Sequence, residues 1–218
     1  VLDGDASIRI NGDKYDAKIK NSEFKQDIKL ADNIKSGKHT IRVYAQDKNG
    51  NSKGVEASFY IIPVQKELIA SISKENFKPN ETVNIIPSIY DQAGDLIIDH
   101  IGIEVRDAKK KLVLTDAVKS NSTLSFALNN YAIPGKYKVK FSSSKLSSKY
   151  LFDVDVVKDF DITVNGWKLL IKNLGNAKLK DEVKIVLNPG NIKINKDVSI
   201  KPSEAGEIDL SREIELSV

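Results

Sequence analysis

Asp47, Asn49 and Asn51, in the stretch DKNGN, set three oxygen-bearing side chains at alternate positions, a spacing with which a loop can offer hard ligands to calcium. An EF-hand loop wants glycine at its sixth position and glutamate at its twelfth. Counted from Asp47, Gly50 stands fourth and Ser58 twelfth. A hairpin turn is therefore the expectation, with weak Ca2+ binding as its alternative; Asp3, Gly4 and Asp5 pose the same choice with fewer donors. His39 and His100 are the only histidines. His39 lies in an alternating strand pattern and is expected half-buried. His100 follows Asp99, and adjacent strand residues face opposite ways, so the two make a poor metal site. Asp153 and Asp155 share a strand face at i, i+2, as acid/base carboxylates could, but near the end of a strand run they read as solvated. The chain contains no cysteine, which removes thiolate nucleophiles, zinc–thiolate centres and disulfides. No GxSxG, GxxxxGK[ST] or GxGxxG motif occurs. Neither an enzyme nor a cofactor is expected.

Two further features could contact a ligand or a modifying system. Trp167, directly after Asn165-Gly166, is expected to fill a core, with an exposed sugar-stacking platform as the alternative. Asn80 (NET) and Asn121 (NST) are glycosylation sequons in expected loops. The densest basic cluster, Lys109 to Lys111, falls where a hairpin tip is expected. The 34 Lys and Arg are interspersed with 30 Asp and Glu, for a net charge of +4. A nucleic-acid surface gathers its cations on one face with stacking aromatics, so this partner class is not expected. Nor is direct membrane insertion, since no apolar run reaches the ~18 residues a spanning helix needs.

The elements that carry these residues are strands. Ile8 and Ile10, Ala17 and Ile19, Ile28 and Leu30, Ile41 to Ala45, and Ala57 to Ile61 alternate with polar neighbours at period two. Asn11-Gly12, Asn49-Gly50 and Asn165-Gly166 supply the positive φ of tight hairpins. Residues 26–43 and 124–141 repeat one pattern: Ile28 and Leu30 recur as Phe126 and Leu128, Gly37 as Gly135, His39 as Tyr137. Their offset of 98 positions matches a sandwich of immunoglobulin type, which takes about 100 residues. The expected fold is all-β, with three tandem immunoglobulin-like or fibronectin-III-like sandwiches over 1–63, 64–157 and 158–218. The first is expected to lack its opening strand. The third is expected to lack its last, since Ile214 and Leu216 in EIELSV match Ile28 and Leu30 as a closing strand. In the middle stretch LIASI, TVNIIPSIY, IGIEVRD, KLVLTD, TLSFAL, KYKVKF and YLFDVDVV read as strands, with Pro87 demanding an edge or a bulge. The third stretch reads as an NG hairpin followed by EVKIVLN, NIKI and DVSIKP. Ile61–Val64 and Asp155–Lys158 join the stretches without the Gly/Ser run of a flexible linker.

GKHTIRVYAQDKNGNS (37–52) resembles the penultimate strand and hairpin of bacterial Ig-like domains. FKPNETVNIIPSIYDQAGDLI (77–97) resembles the opening of macroglobulin-type surface sandwiches. WKLLIKNLGNAKLKDEVKIVL (167–187) resembles the CARDB or NEW3 class of prokaryotic surface domains, with their N-x-G-N turn. The resemblance implies an extracellular, cell-surface setting in long bacterial or archaeal proteins of stalk, adhesin or S-layer type, and transfers no catalytic or ligand residue. A macroglobulin thioester would need a cysteine. The expected function is a non-catalytic spacer whose partners are neighbouring domains of the same parent protein. The alternatives are an adhesin or surface-lattice subunit that contacts other surface proteins through loops or edge strands, and a carbohydrate-binding region of an exported hydrolase.

Overall fold

The structure, a computed structural model, describes residues 3–188 and 192–215. It is almost entirely β. By compactness the chain divides into two units, Val1–Leu68 with Ser88–Asp99, and Ile69–Pro87 with His100–Val218.

In the first stretch β1 (Gly4–Ile10), β2 (Asp13–Ile19), β3 (Gly37–Asp47) and β4 (Ser52–Ile61) form one antiparallel sheet in the order β2-β1-β3-β4. Ala6, Ile8 and Ile10 point to its buried face, as their alternation requires. Asn11 and Gly12, both at positive φ, close the first hairpin as a type I′ turn. The second hairpin differs from expectation. Only Gly50 has positive φ, and Asp47 bonds through its N–H to the Asn51 carbonyl, so the loop is Lys48–Asn51 rather than an Asn49-Gly50 pair. The strand expected around Ile28 and Leu30 does not form. Its copy, β11 (Leu124–Ala127), pairs with Thr82–Ile85, whereas no described strand lies beside 26–30 to take its ladder bonds.

In the middle stretch β5 (Glu67–Ile72), β7 (Thr82–Tyr90) and β11 form one sheet in the order β11-β7-β5, with β8 (Leu96–Ile97) paired to β7. The other sheet runs β10 (Leu112–Lys119), β9 (His100–Arg106), β12 (Gly135–Ser142), β13 (Ser147–Val154), β6 (Asn76–Phe77). In chain order this puts strands A, B and E in one sheet and C, C′, F and G in the other, the partition of an immunoglobulin-type sandwich. The seven expected strands are all present; β6 and β8, two residues each, are additions. Val83, Ile85, Ile101, Ile103, Val105, Val139, Phe141 and Phe152 are fully buried, drawn from both sheets. Tyr137 stacks on Phe152 at 5.2 Å, and its hydroxyl bonds to the backbone of Ile133, the tyrosine corner of such folds. The β11 ladder covers only Thr82–Ile85 of β7, so Pro87 lies past its end and the edge expectation applies on that side. The extra residue between the Ser73-to-Asn84 and Lys66-to-Tyr90 hydrogen bonds belongs to β5, which advances seven residues against six in β7.

In the third stretch β14 (Phe160–Asn165), β15 (Lys168–Asn173) and β18 (Ala205–Asp209) form one sheet, and β16 (Leu179–Leu187) with β17 (Ile192–Ile200) another. Leu169, Ile171, Ile200, Ile208 and Leu210 bury between them, with Leu179, Val183, Ile185 and Val198 packed against the cluster. Three expectations are corrected here. Asn165 pairs with Lys168, so the two-residue loop is Gly166-Trp167, with positive φ at Gly166 alone: a type II′ turn. NIKI and DVSIKP are one strand, β17. The closing strand is instead a helix, α1 (Leu210–Glu215). Asp209 caps it by accepting the N–H and hydroxyl of Ser211, while Leu210 is held in the core. Ile214 falls within this helix, and Leu216 lies outside the described residues.

Candidate functional site

The turn gathers the calcium-like triplet around Asp47, both of whose carboxylate oxygens are already engaged. One Asp47 oxygen accepts the N–H groups of Asn49 (2.8 Å) and Asn51 (2.9 Å); the other accepts the Asn51 side-chain amide at 2.8 Å. These donors, the Asn51 side chain foremost, hold the Asp47 carboxyl below its ordinary pKa. Asp3, which lines the same ≈ 310 Å³ depression, is paired with Lys48 at 3.1 Å. Among the described residues no three His, Asp or Glu side chains converge as metal ligands would. The same turn chemistry recurs at Asp107, whose carboxylate accepts the N–H groups of Lys109 and Lys111 and so shapes the lysine-rich hairpin tip.

His39 is half-buried, stacked on Phe59, with its ring nitrogens 2.8 Å from Asn11 Oδ1 and 2.7 Å from the Lys35 carbonyl. His100 is exposed at the start of β9. Asp153 pairs with Lys136, while Asp155 is exposed. Asn80 and Asn121 are both exposed at positive-φ turn positions. The Asn80 turn is fastened by Glu81, which accepts the Lys78 N–H and the Lys74 ammonium, each at 2.6 Å. Trp167 contradicts the core expectation. It is 60% exposed, because the second position of the type II′ loop turns its side chain off the sheet. No ring stacks on it among the described residues.

Polar side chains are also engaged where strand runs join. Past β4, the Val64 N–H donates to Gln92 Oε1 (2.8 Å), Lys66 N–H to the Tyr90 carbonyl (2.9 Å), and Gln92 Nε2 to the Ile34 carbonyl (2.9 Å). Beside Gln92, the Asp91 carboxylate accepts the N–H groups of Ala93 and Asp95 and the Ser36 hydroxyl at 2.7 Å. The Ser36 bond is the main cause of its lowered pKa. Past β13, the Val157 N–H donates to Asn176 Oδ1 (2.7 Å). Asn176 Nδ2 donates to the carbonyls of Asp155 (2.8 Å) and Ala132 (2.9 Å). Asn176 is only 3% exposed. The backbone N–H groups of Leu174 and Gly175 both reach the Asp159 carbonyl. Gly175 is obligatory, since a Cβ there would sit 2.3 Å from the Val157 carbonyl. Asn173, equally buried, ties the turn to Ala177 and Ile200. Sequence reasoning saw N-x-G-N as a turn and missed its buried amides; Gln92 gave no signal.

No protein-family model matches the chain, and no curated protein matches it. Among solved structures, the chain is similar to a tetra-tandem repeat in the extending region of a large adhesion protein (13% identity, TM-score 0.47, 95% of this chain and 58% of that one). It is also similar to trypsin-activated alpha-2-macroglobulin from Escherichia coli (10%, TM-score 0.39, 94% and 19%). A third is the amphioxus IgVJ-C2 molecule (9%, TM-score 0.34, 69% and 87%). The chain spans less than two thirds of the first two. No described helix is long and apolar enough to cross a membrane.

Proposed function

We propose that this chain is a non-catalytic structural spacer of a larger cell-surface protein, built from successive β units over 1–63, 64–157 and 158–218, of which the first is a single described sheet and the other two each pack two sheets. One observation carries the reading: the connectors past β4 and β13 are bonded along their backbones to turns and loops, leaving little free chain to act as a hinge. A spacer needs this, because distance is held only if the joints are as ordered as the strands. Limited trypsin digestion tests it. Lys66 and Lys158, though exposed, should resist cleavage while the protein stays folded. Early cuts at either would overturn the reading.

A second reading, contact with other surface proteins by strand addition, is favoured by β14. This strand is an edge, and Phe160, Ile162 and Val164 stay 46–64% exposed along its inward face. Phe160 and Ile162 border a slot of ≈ 150 Å³ that also meets Val183 and Val198. Concentration-dependent oligomers in sedimentation velocity, abolished by Ile162→Lys, would support it over the spacer. The carbohydrate reading rests on exposed Trp167 alone.

A further inference from the structure

Both connectors are held by one device built twice. At the first, Gln92 accepts the Val64 N–H and donates to the Ile34 carbonyl. At the second, Asn176 accepts the Val157 N–H and donates to the Ala132 carbonyl. Ile34 and Ala132 occupy equivalent positions of the repeat, each three residues before the positive-φ glycine that opens a strand, Gly37 or Gly135. Val64 and Val157 are equivalent too, each three residues beyond the residue paired with that glycine, Ile61 or Val154. In both copies a ring meets the backbone of the residue after Ile34 or Ala132, through different groups: His39 Nε2 lies 2.7 Å from the Lys35 carbonyl, while the Tyr137 hydroxyl accepts the Ile133 N–H.

The amides themselves share no local sequence: Gln92 stands in DQAGD and Asn176 closes NLGN. What they share is chemistry. A primary amide is a neutral side chain that accepts a backbone N–H through its oxygen while its nitrogen donates to backbone carbonyls. A carboxylate would leave the carbonyls unanswered, and an aliphatic chain would answer neither.

We infer that this amide clamp is what locks each connector, making Gln92 and Asn176 the positioning residues of the two joints. Its use in holding a fixed distance rests on the spacer reading; the clamp itself rests on the bonds above. Each clamp acts locally, so each amide should control its own connector and leave the other unaffected.

The absence of cysteine allows clean labelling with introduced pairs: Lys53→Cys with Ile98→Cys at the first joint, Lys138→Cys with Lys184→Cys at the second. Spin-label distance distributions should be narrow in both parents. Gln92→Ala should broaden the first at least about twofold and leave the second alone; Asn176→Ala and Asn176→Asp should do the reverse. Amide hydrogen exchange should quicken about tenfold or more at Val64 or Val157 in the matching variant, with strand protection unchanged. Unchanged widths and exchange in the variants would overturn the clamp while sparing the spacer. Broad distributions already present in the parents would overturn the spacer reading first. Because Asn176 is buried, its alanine variant could fail to fold; Gln92, half-exposed, then carries the test alone, by the same two readouts.

Discussion

Single residues in this chain are legible where one conformation excludes most side chains. Gly37 and Gly135 stood out in the sequence because each opens an alternating run, and both adopt φ near +110°, which L side chains rarely reach. Trp167 was misjudged because sequence cannot say whether the asparagine or the glycine of an NG pair leads the turn, and that one-residue difference decides where the indole goes. Gln92 and Asn176 were invisible, because an amide in a turn reads as solvated until the connector is seen to return past it. Tyr137 offers a titration. Burial, and next the nearby Asp107 charge, raise its phenol above the usual pKa of about 10. Its contribution to stability is therefore complete below pH 10 and is lost as pH climbs through the raised value. Denaturant unfolding should show stability falling above about pH 10, and Tyr137→Phe should flatten that fall. An identical slope in the variant would refute the assignment.

At the scale of elements, the middle stretch was readable because its strands alternate cleanly and its turns carry Gly, Asn or Asp at the bends. The third stretch was not. β18 (AGEID) carries one large apolar residue, Ile208, too few to announce a strand. EIELSV alternates well enough for a strand, yet the Asp209 cap and the burial of Leu210 turn the chain into a helix just before it. In the first stretch, 26–30 has strand periodicity without a ladder partner, which shows that a period-two pattern specifies a face and not a neighbour. The N-x-G-N turn gives a contrast between two glycines. Gly175→Ala forces a Cβ against the Val157 carbonyl backbone, whereas Gly166→Ala meets nothing within 4 Å and bears only its φ of +58°. Gly166→Ala should cost about 1–2 kcal/mol from left-handed strain. Gly175→Ala should cost about 1–3 kcal/mol by overpacking and should also quicken hydrogen exchange at Val157, a local effect Gly166→Ala should lack. Equal exchange at Val157 in both variants would contradict the packing argument.

For the whole molecule, composition settled the class: strands, no cysteine and interspersed charge describe a disulfide-free β protein. Core burial accounts for the sandwich of the middle stretch and for the two packed sheets of the third. It says nothing about use. That argument lives in the two connectors, where backbone groups that could have bonded to water bond to neighbouring turns and loops instead. Nitrogen-15 relaxation along the backbone measures this directly. The account predicts order parameters near ~0.85 from Ile61 through Lys66 and from Val154 through Asp159, matching the flanking strands; values below ~0.6 in either connector would contradict it.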